Sequence, residues 1–158
     1  MTLKKYRYVI LFTVLSILCV SFIFGQSLKP SKVSNAESDR VIEVVKPIID
    51  PNNQMTAKQT NFLVRKSAHL TEFAVLGICL AALSTAICDV SRRRMPFMAP
   101  FLVLATAVTD EYIQSFLDRT SKVGDILIDF SGALIGILAV TLFVCCRNHW
   151  RRKHESQQ

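Results

Sequence analysis

Residues 109–138 read TDEYIQSFLDRTSKVGDILIDFSGALIGIL, and the fold turns on how this stretch is understood. It sets Asp110, Glu111, Gln114, Asp118, Arg119, Lys122, Asp125 and Asp129 between two apolar runs that otherwise read as membrane helices. An ionisable side chain in hydrocarbon costs roughly 2.5 kcal/mol or more unless it is paired or faces a polar cavity. Charge so placed marks these residues as functional candidates.

The surrounding composition supports the membrane reading. Of 158 residues, 51% are hydrophobic, mean hydropathy is +0.34, and the apolar residues fall in blocks too long for an ordinary soluble domain of this size. The net charge of +7 does not point to nucleic acid, because the basic residues sit at the ends of apolar runs and form no aromatic-interleaved patch. Cys19, Cys79, Cys88, Cys145 and Cys146 lie in or beside apolar segments, with no CxxC, so neither a disulfide framework nor a zinc site is indicated.

Four spans are expected, at about 8–25, 66–87, 96–117 and 126–146, in a single all-α membrane bundle covering residues 1–158. The first has the basic start and apolar middle of a secretory signal, but the small residues Ser34-Asn35-Ala36 lie far beyond the apolar run, which favours a retained anchor. Residues 26–61 are polar and proline-bearing and read as a long extracytoplasmic loop, with the cluster around Val41 to Ile49 either packed irregularly or forming a short surface helix. Pro96 suits the first turn of the third span, and Gly132 and Gly136, four apart, offer a close-packing face on the fourth. Lys4, Lys5 and Arg7, then Arg92 to Arg94, then Arg147, Arg151, Arg152 and Lys153 alternate with the other two loops, which places both termini in the cytoplasm.

This topology brings the polar residues to one depth. At 1.5 Å per residue, Glu72 lies roughly 9 Å below Lys66, Asp110 roughly 10 Å below Leu117 and Asp129 roughly 6 Å below Asp125. Arg65, His69 and Glu72 share one helical face, while Asp110 with Gln114 and Asp125 with Asp129 are spaced to address one partner helix each. A common cavity open to the cell exterior accounts for this convergence; interhelical salt bridges and hydrogen bonds account for the same residues without a function.

The elements Arg65-Lys66-Ser67-Ala68-His69-Leu70-Thr71-Glu72-Phe73 and Asp110-Glu111-Tyr112-Ile113-Gln114-Ser115-Phe116, followed by Arg119, Asp125 and Gly132-Ala133, resemble the VanZ-like membrane protein family. The resemblance covers roughly residues 8–145. Two departures stand out: Asp129 occupies a position where the family usually has asparagine, and Leu117-Asp118 replaces the more usual Pro-Gly before the arginine. The resemblance implies a multi-pass protein of the bacterial cytoplasmic membrane, in a Gram-positive cell envelope, associated with reduced susceptibility to the lipoglycopeptide teicoplanin. It settles no biochemical activity.

Two mechanisms follow. In one, an outward-facing intramembrane site acts on or binds an envelope lipid or lipid-linked cell-wall precursor: His69, Glu72, Asp110, Glu111 and Gln114 supply acid/base and hydrogen-bonding groups, and Arg65, Lys66, Arg119, Asp125 and Asp129 hold the substrate's charged parts. In the other, the protein binds lipid or drug without chemistry, and the charged cluster holds the bundle together. Whether the protein is an enzyme is left open by the sequence. A divalent metal bridged by Glu72, Asp110 and Asp125 or Asp129, with His69, suits the donor chemistry, but no metal signature is present; no metal ligand and no cofactor are assigned.

Overall fold

The computed structural model describes residues 2–117 and 123–155 and is all-helical among them, with five helices: α1 (Thr2–Ser27), α2 (Ser31–Ile49), α3 (Ala57–Ser91), α4 (Met98–Ser115) and α5 (Val123–Glu155). Three of these, α1, α3 and α5, are long and apolar enough to cross a membrane. α4 differs because its last third carries Asp110, Glu111 and Gln114, all buried against neighbouring helices. Its apolar part resembles a span, and its polar part is sheltered by protein.

The segment expected to be a long loop is corrected by the structure: α2 fills most of it. Pro30 precedes its first turn and Pro47 lies near its last, so neither proline interrupts the ladder in mid-helix. After α2, the Asp50 carboxylate accepts from the backbone N–H groups of Gln54 and Met55, both at 2.8 Å, and folds the chain back. Asn53 takes the left-handed conformation, φ 51°, which asparagine tolerates better than most residues.

The expected second span also begins earlier than its hydropathy suggests. Thr56 and Gln59 form a reciprocal capping box, each satisfying the other's backbone N–H. The resulting α3 has 35 residues, about 52 Å at 1.5 Å per residue, so its polar first turns extend beyond a hydrocarbon layer roughly 30 Å thick. α3 closes at Arg92 in the left-handed conformation, φ 58°. Pro96 is not in a helical turn; α4 starts at Met98, and Pro100 occupies its first turn, where no backbone donor is required. α5 continues past the apolar run through Arg151 to Glu155.

α3 and α5 pack closest. A Cβ placed on Gly132 would meet the Leu70 carbonyl, one on Gly136 the Ala74 carbonyl, and one on Gly77 the Ala133 carbonyl. Because Gly132 meets Leu70 and Gly136 meets Ala74, the two helices run parallel. Ile23 of α1, Phe73, Leu76 and Leu80 of α3, Val103 and Ala107 of α4, and Ala133 of α5 complete the buried core. α1 joins α3 further along, where the Cys19 and Cys79 sulfurs lie 4.0 Å apart.

Substituting Gly136→Val or Gly132→Val is therefore expected to destabilise the bundle by about 1–3 kcal/mol, since backbone cannot yield as a side chain does. Gly25→Ala, with nothing within 4 Å of the new methyl, should be neutral or mildly stabilising. Thermal unfolding in detergent distinguishes the three. Mild oxidation of the purified protein should also link Cys19 to Cys79, so that fragments cut in the 50–56 turn stay joined until reduced; Cys19→Ala should abolish the link.

Candidate functional site

The polar residues gather at one end of the bundle, where α1 ends, α3 begins, α4 ends and α5 begins. The parallel register of α3 and α5 sets the first contacts. Lys66 on α3 pairs with Asp125 on α5 at 2.5 Å, and one turn deeper His69 Nδ1 lies 3.7 Å from Asp129 Oδ1. From α4, Asp110 joins this second pair: one donor atom each of His69, Asp110 and Asp129 falls within 4.8 Å of the other two. Both carboxylates are deeply enclosed, Asp110 at 0% exposure and Asp129 at 2%.

Further along α4, Gln114 Nε2 donates to Asp110 Oδ2 at 2.8 Å and to Ser27 Oγ of α1 at 3.2 Å. The amide thus holds the Asp110 carboxylate in place and ties α4 to α1. Glu111 is buried as well and lies within Coulombic range of Asp129. Four helices consequently converge on one polar knot of the kind that is tolerated at membrane depth only when enclosed by protein. His69, Asp110 and Asp129 present a mixed nitrogen and oxygen donor set that a divalent cation accepts; Asp125 is engaged with Lys66, and Glu72 lies outside this group.

Beside the knot a cavity of about 950 Å³ opens between α1, α2 and α3. Each helix contributes one stripe at helical spacing: Leu15, Leu18, Phe22 and Gln26 from α1; Ser34, Ser38, Val41 and Val45 from α2; Val64, Ala68, Thr71 and Val75 from α3. Arg65, His69 and Glu72, expected on one face of α3, all stand on this wall. Glu72, three residues after His69 on α3, lines the cavity next to the knot. Lys29 itself pairs with Glu37 of α2 at 2.6 Å, fastening α2 to the end of α1.

A family model described as VanZ/LLP1 matches residues 12–144. The chain belongs to that family. No curated protein and no solved structure matches it. The matched VanZ/LLP1 region spans all the helices that build the knot and the cavity, and with its apolar helices the chain is a VanZ-like membrane protein.

Of the residues singled out from sequence, His69, Asp110, Gln114, Glu111 and Asp129 come together in the knot, Arg65 and Glu72 line the cavity beside it, and Lys66 and Asp125 form a separate pair above. Arg119 lies outside the described residues, as do Asp118 and Lys122. Sequence reasoning missed Gln26, Ser27, Ser34, Glu37 and Ser38, which form the polar rim of the cavity's α1 and α2 walls. Their signal was present in the spacing of Ser34, Ser38, Val41 and Val45, a helical stripe within a segment taken for a loop.

Asp129 sits beside His69 but also among Asp110, Glu111 and Asp125, so a neutral amide of the same shape relieves like-charge repulsion at that position. Asp129→Asn is expected to keep or raise the thermal midpoint in detergent. A loss of more than about 1 kcal/mol, the worth of a buried hydrogen bond, would show instead that the carboxylate is structurally required.

Proposed function

We propose that this VanZ-like protein sits in the bacterial cytoplasmic membrane with both termini in the cytoplasm, and that its polar knot and adjoining cavity form an outward-facing site for an envelope lipid or lipid-linked cell-wall precursor. The orientation rests on the positive-inside rule: the basic N-terminal residues, Arg92 to Arg94 and the α5 end all fall opposite the knot. α4 is the remaining crossing in this scheme, its polar last third shielded by α1, α3 and α5. Reduced susceptibility to teicoplanin, a lipoglycopeptide, is the cellular consequence that fits a site acting at the outer membrane surface.

The observation that carries this reading is the placement of Arg65, His69 and Glu72 on the wall of a large, predominantly apolar cavity. A charge network serving only to bind helices would satisfy itself at helix contacts, as Lys66 does with Asp125. Arg65 and Glu72 instead address a space, and His69 faces both that space and Asp129. There, His69 is suited to exchange a proton near neutral pH, Glu72 to accept or deliver one, and Asp110, held by Gln114, to orient His69. Lys66, Asp125 and Gln114 support a second, packing role for part of the set, since each is engaged with a neighbouring helix.

Expression in a teicoplanin-susceptible Gram-positive host is expected to raise the inhibitory concentration. Glu72→Gln and Asp110→Asn should each return it to the empty-vector level with membrane insertion unchanged. Unaltered resistance in both variants would remove the functional site and leave a charge-braced scaffold. Lipid extracts from expressing and empty cells should differ if the site performs chemistry and match if it only binds.

A further inference from the structure

The cavity between α1, α2 and α3 is apolar where Leu15, Leu18 and Phe22 of α1 and Val75 of α3 line it, and carries polar side chains, Gln26, Ser34 and Arg65, among Leu63 and Val64 nearer the end of α1 and the start of α2. From Leu15 to Gln26 the α1 wall measures about 16 Å at 1.5 Å per residue, close to half of a hydrocarbon layer roughly 30 Å thick. The cleft therefore has the depth of one leaflet. At its apolar end, in the hydrocarbon, only an apolar chain satisfies the wall.

The charges at the polar end indicate which head would follow that chain. Lys66 is matched by Asp125 and Glu37 by Lys29. Arg65 is half-buried in the cavity wall and makes no ion pair among the described residues. A guanidinium there presents a planar fork of donors suited to a phosphate, and Gln26 and Ser34 line the same cavity. His69 and Glu72 lie deeper, below the level where a phosphate would sit.

We infer that the α1–α2–α3 cleft holds one phosphate-headed anionic glycerophospholipid of the leaflet at this end of the bundle, its phosphate on Arg65 and one acyl chain along Leu15, Leu18 and Phe22. This rests on the lipid-site reading above and specifies the class of lipid. α2 forms the third wall, presenting Val41 and Val45 to the occupant. It converts a groove on the surface of α1 and α3 into a pocket for a single lipid. Bulk lipid, by contrast, would contact α5 without regard to headgroup.

The test uses the full-length protein in phosphatidylcholine nanodiscs doped with phosphatidylglycerol that carries a photoreactive diazirine in its acyl chain. Peptide mapping after illumination should find adducts concentrated on Leu15 to Phe22, in preference to the outward face of α5 at Leu138 and Leu142. Arg65→Gln should lower the α1 labelling about tenfold, the scale of one charge-assisted hydrogen bond, while Arg65→Lys retains most of it. Leu18→Trp, which fills the cleft without touching Arg65, should displace the label as well. Equal labelling of α1 and α5, or equal labelling by the corresponding phosphatidylcholine probe, or no effect of Arg65→Gln in a monodisperse variant, overturns the assignment. Absent cleft labelling alongside loss of resistance in Glu72→Gln defeats this inference alone; specific labelling alongside retained resistance defeats the functional reading alone.

Discussion

The bundle depends on a contact made without side chains. Helices in a bilayer gain little from excluding hydrocarbon, so they associate through close packing and a few polar bonds. Gly77, Gly132 and Gly136 allow the backbones of α3 and α5 to meet directly. The same register that seats Gly132 on Leu70 sets Asp129 beside His69, and Asp125 beside Lys66 one turn away. Sliding one helix by a turn would separate both pairs and place unpartnered charge in the membrane. The chemistry of this end of the molecule is thus held by residues that have none.

The polar residues divide into two populations with different physical tasks. Lys66 with Asp125, and Gln114 with Ser27, direct their hydrogen-bonding capacity at adjacent helices, while Gln114 also donates to Asp110 within α4. Arg65 and Glu72 direct theirs into a cavity. His69 belongs to both, since it lies on the cavity wall and against Asp129. That bridging position makes it the link through which an occupant of the cleft would be sensed by the buried carboxylates.

Much of this was legible from sequence because hydropathy, the helical period and a pair of glycines four apart are local signals. The all-helical architecture, three of the four expected spans and the common face of Arg65, His69 and Glu72 follow from them. The sequence allows only a short surface helix around Val41 to Ile49 where α2 runs from Ser31, because its apolar stripe is diluted by charge and flanked by Pro30 and Pro47, which read as loop residues although the helix accommodates them at its margins. The early start of α3 was overlooked despite the Thr56-to-Gln59 capping signature that announces it. The cavity, and the approach of Cys19 to Cys79, arise only when distant helices are brought together. No window along one helix contains that information.

The parallel pairing of α3 with α5 also bears on how the protein is made. α3 is synthesised two helices before the partner that supplies Asp125 and Asp129. During that interval its Lys66 and His69 lack the carboxylates that face them in the finished bundle. Only the arrival of α5 draws them into their final setting. A chain halted before α5 would therefore leave the α3 backbone from Leu70 to Gly77 uncovered, a face that nothing else in the bundle is shaped to close.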